Sequence, residues 1–238
     1  MNINNMKKEL ILFCTSNYKN VNKDLIDNKY DLFDEVKLLT ENDLDDYIKP
    51  IVEDNRQKYG HDGNGWPNRG YGYWIWKPYI ILQELNKLNE GDILVHLDMH
   101  CHLNVIKDYF NDIINELNNQ SIILGNVGFN DLMYTTTKLR KHVEKKLNHI
   151  FTDKQLNDVQ YESGIQFIKN TEFSRNFIKT WFDLMLSGLD YVSDIYNNDN
   201  KNHETFIENR HDQSVISLLY KYYNLKCFKY LNWDNLNK

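Results

Sequence analysis

The sequence predicts an α/β fold in which a mostly parallel central sheet is flanked by helices. Short apolar runs bounded by turn residues recur along the chain, and segments with apolar residues three and four apart fall between them. No stretch reads as an internal repeat or a linker. With 238 residues, 41% hydrophobic and 26% charged, the chain suits one domain spanning 1–238.

Glu9–Thr15 (ELILFCT) reads as a buried first strand, followed by the polar turn Ser16-Asn17-Tyr18. Glu35–Leu39 predicts a second strand. Thr40, with Asp43 three residues on, predicts a helix start, and residues 51–58 predict a helix. Residues 59–72 hold five of the ten glycines, at 60, 63, 65, 70 and 72, and one of the three prolines. Such a loop predicts a lid, with Trp66, Tyr71 and Tyr73 as its apolar surface. After Pro78, the residues Ile81, Leu82, Leu85 and Leu88 share a helical face that ends near Gly91. Asp92–Leu97 predicts a central strand, 105–117 a helix, Ser121–Gly125 a strand and 136–148 a basic helix. Strand Gly164–Ile168 and helix 172–186 follow. Residues 187–210 are polar and irregular, before helix 212–222 and a last strand, Lys226–Tyr230.

Composition excludes several classes. A formal charge of −6 argues against general nucleic-acid binding, which needs a basic face. Three separated cysteines, Cys14, Cys101 and Cys227, suit a reducing compartment better than a disulfide framework. The apolar run Leu10–Phe13 is too short for a secretory signal, and no segment approaches the roughly 20 apolar residues of a membrane span. A cytoplasmic protein is expected.

Residues 69–104 carry most of the chemistry. In α/β proteins, ligands gather beyond the carboxyl ends of the strands. His96, Asp98, His100 and His102 fall there at a spacing of two, in a chain with only 8 histidines. If the segment stays extended, all four side chains share one face. Three readings are open. Asp98 caps the next turn while the histidines are exposed or hydrogen-bonded; or the four residues bind zinc in a hydrolase; or Asp98 and the residue two on hold Mg²⁺ or Mn²⁺ against a diphosphate.

RGYGYWIWKP (69–78), GDILVHLD (91–98), SGIQFIKN (163–170) and ENRHDQSVISLLY (208–220), in this order, resemble the glycosyltransferases of capsule and surface-glycan loci. The resemblance covers about residues 9–222. It implies a single GT-A-like (Rossmann-like) domain of the nucleotide-diphospho-sugar transferase superfamily. It also implies a nucleotide-sugar donor, a glycan or lipid-linked glycan acceptor, and Mn²⁺ or Mg²⁺ as cofactor. Asp98 occupies the place of the metal- and donor-binding acid. His100 departs from the usual acid or small residue there, which leaves its ligand role and the zinc reading open. His211 is a second candidate metal ligand.

On the donor side the resemblance implies Thr15 and Ser16 at the end of the first strand, with Lys77 at the start of a helix. Tyr71 and Tyr73 are placed to stack on a base or sugar, whereas Trp74 and Trp76 suit the core. Lys77 is either solvated or turned to the donor phosphate. Asp212 and Gln213 are the candidate catalytic residues, although an acid at a helix start also serves the helix alone. Gly164 and Gln166 mark the acceptor side, where a glycine permits close approach.

The helix TTTKLRKHVEKKLN presents Lys138, Arg140, Lys141, Lys145 and Lys146. It is a solvated face, or a docking strip for an anionic glycan, a lipid-linked phosphate or a membrane surface, the last implying peripheral membrane association. The expected function is a metal-dependent glycosyltransferase using a UDP- or GDP-sugar. The alternatives are a zinc hydrolase and a non-catalytic relative that binds glycan or nucleotide.

Overall fold

The computed structural model of the chain describes residues 6–18, 20–59 and 69–228. Its strands are β1 (Lys8–Phe13), β2 (Glu35–Leu39), β3 (Ile93–Leu97), β4 (Ile122–Asn130) and β5 (Val159–Lys169). They form a five-stranded sheet in the order β2-β1-β3-β5-β4. β1 pairs in parallel with β2 and β3, whereas β5 pairs antiparallel with both β3 and β4. The sheet is therefore mixed, which corrects the expectation of a mostly parallel one. A continuous apolar run reports burial on both faces but not direction. β5 inserts between β3 and β4, running against both.

Before β3 come α1 (Lys23–Ile26), α2 (Ile48–Tyr59), α3 (Gly70–Tyr73) and α4 (Trp76–Leu85). After it come α5 (Leu103–Lys107), α6 (Phe110–Glu116), α7 (Asp131–Tyr134), α8 (Thr137–Leu147) and α9 (Asp153–Asn157). β5 leads to α10 (Glu172–Leu186), α11 (Leu189–Val192) and α12 (Asp212–Tyr222). The alternation of side chains along each strand splits the core in two. Ile11, Leu94 and Ile168 face Ile81, Trp181 and Leu218, while Leu12, Val95 and Phe167 face Phe110 and Ile113. No helix among the described residues is long and apolar enough to cross a membrane.

Local chemistry explains where sequence and structure differ. Thr40 does not open a helix: Asp43 accepts hydrogen bonds from the Thr40 N–H and hydroxyl, closing an isolated turn with the contacts that cap a helix. The helix starts at Ile48. The expected helix 105–117 is split into α5 and α6. Residues 226–228 form no strand, because Gln120 and Tyr220 side chains bond the Lys226 backbone in place of a neighbouring strand. Residues 229–230 of that expected strand, and residues 60–68 of the expected lid with Trp66, lie outside the described residues. Helix 172–186 is found at its expected bounds, capped by Thr171 and Ser174 in a reciprocal box.

α12 is anchored by a buried ion pair. Lys221 Nζ lies 2.6 Å from Asp131 Oδ2 and donates to the Gln155 and Asp158 carbonyls at 2.6 and 2.9 Å. Gln160 and Ser217 add hydrogen bonds to the same carboxylate. Removing one partner strands the other charge in the interior, at a cost of about 3–5 kcal/mol. Lys221→Met should lower unfolding stability in urea by that order. Asp131→Asn combined with Lys221→Met should recover part of it. A loss in the double variant equal to the sum of the Lys221→Met and Asp131→Asn losses would show that the pair is not coupled.

Candidate active site at the carboxyl end of β3

β1 and β3 are parallel neighbours, so their carboxyl ends bring Thr15 and Asp98 to one side of the sheet. β3 stops at Leu97. The Asp98 N–H donates to the Gly164 carbonyl at 2.8 Å, and the Cys101 N–H donates back to the Asp98 carbonyl at 2.9 Å. That turn ends the alternation expected to align His96, Asp98, His100 and His102. His96 is fully buried below the turn with neither ring nitrogen hydrogen-bonded, whereas His100 and His102 are exposed. Burial, opposed by Asp98, lowers the His96 pKa to about 3 and keeps the ring neutral. Among the described residues no three His, Cys, Asp or Glu side chains are grouped to hold a metal ion.

Lys77 is the second residue of α4, and a run of left-handed backbone delivers it. Tyr71, Gly72, Tyr73 and Trp74 all have positive φ, between 51° and 86°. At Gly72 a Cβ would come within 2.9 Å of the Val52 carbonyl oxygen, so only glycine fits that crossing. The Lys77 side chain is 1% exposed, with Nζ 3.2 Å from Asp98 Oδ1 and 3.0 Å from Asp212 Oδ2. Ser163 Oγ is 3.4 Å away. Burial works against the ammonium, yet Asp212 and Asp98 outweigh it and raise the Lys77 pKa. Asp98 behaves in the same way: burial opposes its charge, but the Lys77 ammonium holds its pKa down. For Asp212 burial dominates and raises the pKa against the pull of Lys77.

Asp212 opens α12 behind a His211 with φ 56° and ψ −118°. The His211 ring stacks on Trp74 at 5.4 Å, and Nδ1 lies 2.6 Å from the Val192 carbonyl oxygen. Its Nε2 faces Asp194 at 3.6 Å, so the ring turns to Val192 and Asp194 rather than Asp98. Gln213 Nε2 donates to Gln160 Oε1 at 2.7 Å. Gly164 is a close-approach point, since a Cβ there would lie 3.0 Å from Asp98 Oδ2 and 3.1 Å from Glu162 Oε1. Gln166, fully buried, pairs with His96 in register and donates to the Ser163 carbonyl.

Two clefts meet here. The larger, about 740 Å³, is lined by Phe13, Thr15, Tyr18, Arg56, Tyr71 and Trp76. Phe13 stacks on Trp76 at 3.9 Å, and the Arg56 guanidinium lies 4.6 Å over the Tyr71 ring. The smaller, about 340 Å³, is lined by Lys77, Glu162, Ser163, Arg210, Asp212 and Gln213. Trp74, Asp98 and His100 line both. Two expected donor residues stand apart: Ser16 turns its N–H and hydroxyl to Glu41, and Tyr73 is buried with its hydroxyl on Asp194. Trp76, expected in the core, both packs there and lines the cleft. Glu162, Arg56, Phe13 and Arg210 were not singled out in the sequence. The one signal for Glu162 is its place two residues before the marked Gly164.

Burial, reinforced by the negative Asp98, raises the Glu162 pKa to about 7 from 4.5. A carboxyl with a raised folded pKa binds its proton more tightly in the folded state. Its stabilisation is fully present below the unfolded value and is lost as pH rises through the folded one. Stability should fall between pH 5 and 8, and Glu162→Gln should flatten that fall by at most about 3 kcal/mol. Urea denaturation of both proteins across the range checks this; parallel pH profiles would show that Glu162 titrates normally.

No protein-family profile matches the chain, and no curated protein sequence matches it. Among solved structures the chain is similar to mouse xyloside xylosyltransferase 1 in its apo form. The TM-score is 0.43 at 12% identity, over 94% of this chain and 84% of that one.

Proposed function

We propose that the chain is a glycosyltransferase that moves a sugar from a nucleotide diphosphate, UDP or GDP, to a hydroxyl of a glycan acceptor. The observation that carries this reading is the meeting of two unequal clefts at Asp98, with Lys77 and Asp212 at the junction. Group transfer needs two bound substrates at one reacting centre, whereas hydrolysis needs one and water. Phe13, Tyr71 and Trp76 offer aromatic faces to a base or sugar, and Arg56 offers a cation to phosphate. The smaller cleft, walled by Glu162, Ser163 and Gln213, suits hydroxyl groups. The resemblance to surface-glycan glycosyltransferases adds support, because its separate sequence blocks supply Lys77 and the two acids that touch it, Asp98 and Asp212.

The residues also fit a divalent cation. Asp98, Asp212 and Glu162 set three carboxyl groups against the single Lys77 ammonium, and a diphosphate would add more negative charge. Mn²⁺ or Mg²⁺ would be held by Asp98 and His100, with donor oxygens completing its shell. When bound, the ion neutralises charge that develops on the departing diphosphate. Lys77 supplies a fixed positive charge beside Asp98 and needs no reorganisation to do so. Asp212 faces the acceptor side, where a carboxylate orients the incoming hydroxyl or stabilises positive charge on the sugar. His211 is a positioning residue that sets the Asp212 backbone.

Asp98→Ala should abolish transfer and donor hydrolysis per folded molecule and, by removing one countercharge from the buried Lys77, should also lower stability; excess EDTA should abolish turnover by the parent protein. Full turnover in the variant, measured on a panel of UDP- and GDP-sugars, would remove Asp98 from the site.

Asp212→Asn should keep donor affinity but lower turnover about a hundredfold to a thousandfold. A carboxylate serving only the helix start predicts another outcome, the loss of about 1 kcal/mol of stability with normal turnover. Melting temperature, nucleotide affinity and turnover on one preparation distinguish the two. Donor binding without transfer or hydrolysis by the parent protein would instead identify a non-catalytic relative.

A further inference from the structure

α8 buries Leu139 and Val143 against the core and leaves its lysines outside. Lys138, Lys141, Lys145 and Lys146, joined by Lys201, line a groove of about 660 Å³ that shares no lining residue with either cleft. Lys138 reaches Asp199 at 3.9 Å. Among the described residues, none of the other four ammonium groups has a carboxylate within 4.0 Å. Arg140 differs, turning to Glu144 at 3.9 Å. In a chain of formal charge −6 this is a concentrated, unneutralised positive field.

The groove is also aromatic. Tyr191 and His142 line it, with ring centroids 5.0 Å apart, and Tyr191 stacks on Tyr196 at 5.6 Å. The turn between α10 and α11 forms a wall: at Gly188 a Cβ would lie 2.6 Å from His142 Nε2, so a bare backbone lets the two elements close up. The groove continues into a recess of about 400 Å³ that shares Lys146 and Ser187 and is lined by Leu147, Leu184 and Leu186. Asp183 at the rim of this recess is already paired with Lys179 at 2.6 Å.

We propose that this groove binds an acidic glycan chain whose sugars carry carboxylates. Lysine ammoniums along a rim meet repeated anionic groups as point charges. The tyrosine and histidine faces receive the apolar C–H faces of pyranose rings. A groove prolonged into a second recess suits a chain better than a lone ion. A lipid surface is flat and would meet the lysine rim without reaching the aromatic floor. The site stands independently of the transferase reading, since binding here needs no turnover.

The test is calorimetric titration of the full chain with a galacturonate oligomer, a neutral dextran oligomer of equal length, oligothymidylate and phosphatidylglycerol vesicles. The galacturonate oligomer should bind, more weakly as salt rises, and the dextran should not. Lys141→Gln/Lys145→Gln/Lys146→Gln should weaken binding about tenfold or more. Tyr191→Ala should weaken it without changing charge, and the triple lysine variant should keep the parent melting temperature. Unchanged affinity in the triple variant would overturn the proposal. So would equal binding of dextran, or binding of oligothymidylate or vesicles in preference to galacturonate.

Discussion

The Lys77 ammonium, 1% exposed, is held between Asp98 at 3.2 Å and Asp212 at 3.0 Å. Taking such a charge out of water costs several kcal/mol, and only close, well-placed countercharges offset that cost. The three residues come from the start of α4, the end of β3 and the start of α12, so the contact fixes three remote segments at one point. It also accounts for the backbone on either side. Positive φ angles at Tyr71, Tyr73, Trp74 and His211 are each uphill for residues with a Cβ. They occur where the chain must turn to present Lys77 and Asp212. The ion contact, with the Trp74–His211 stack and the Tyr73–Asp194 hydrogen bond, compensates that local strain.

The direction of β5 follows from the same junction. A strand parallel to β3 would deliver only its final residues to the site. Running against β3, β5 brings Glu162, Ser163 and Gly164 to the junction from its first half. Its second half, Ile165 to Ile168, stays in the core. Gly164 then makes the closest approach, receiving the Asp98 N–H on its carbonyl and leaving space for the Asp98 carboxylate where a Cβ would sit. β4 has register irregularities beyond Leu124, and there it turns Val127 and Phe129 into the wall of the smaller cleft. The mixed sheet thus gives the site an acid, a hydroxyl and an apolar wall.

Much of this was legible in the sequence, and the rest was hidden for identifiable reasons. Apolar periodicity located α10 and the apolar part of β5, because burial writes itself into composition. The first residues of β5 were missed because Gln160, Glu162 and Ser163 look solvent-facing, whereas Gln160 is satisfied internally by Asp131 and Gln213. Lys77, Asp98 and Asp212 were each recognisable as candidates. That they touch was not, since no local pattern encodes contact between segments so far apart. The histidine spacing misled because period-two alternation holds only while the strand lasts, and the chain turns at Asp98, whose carbonyl accepts from the Cys101 N–H. Arg56 was invisible because its cleft-facing position depends on the packing of α2 against the Gly70–Trp74 turn.

Charge divides the molecule as firmly as packing does. At the junction the carboxyl groups outnumber the ammonium: burial raises the Glu162 pKa to about 7 and raises that of Asp212, while Asp98 alone of the three has a depressed pKa. That ordering follows from the number of contacts with Lys77 and from exposure. Asp98 touches Lys77 through both oxygens and keeps 22% of its side chain in solvent. Asp212 meets Lys77 through one oxygen at 5% exposure. On α8 the imbalance is reversed: Lys141, Lys145 and Lys146 stay in solvent with no carboxylate within 4.0 Å among the described residues. A buried surplus of acid is relieved by protons or a cation; an exposed surplus of base is relieved by an anionic ligand or by salt.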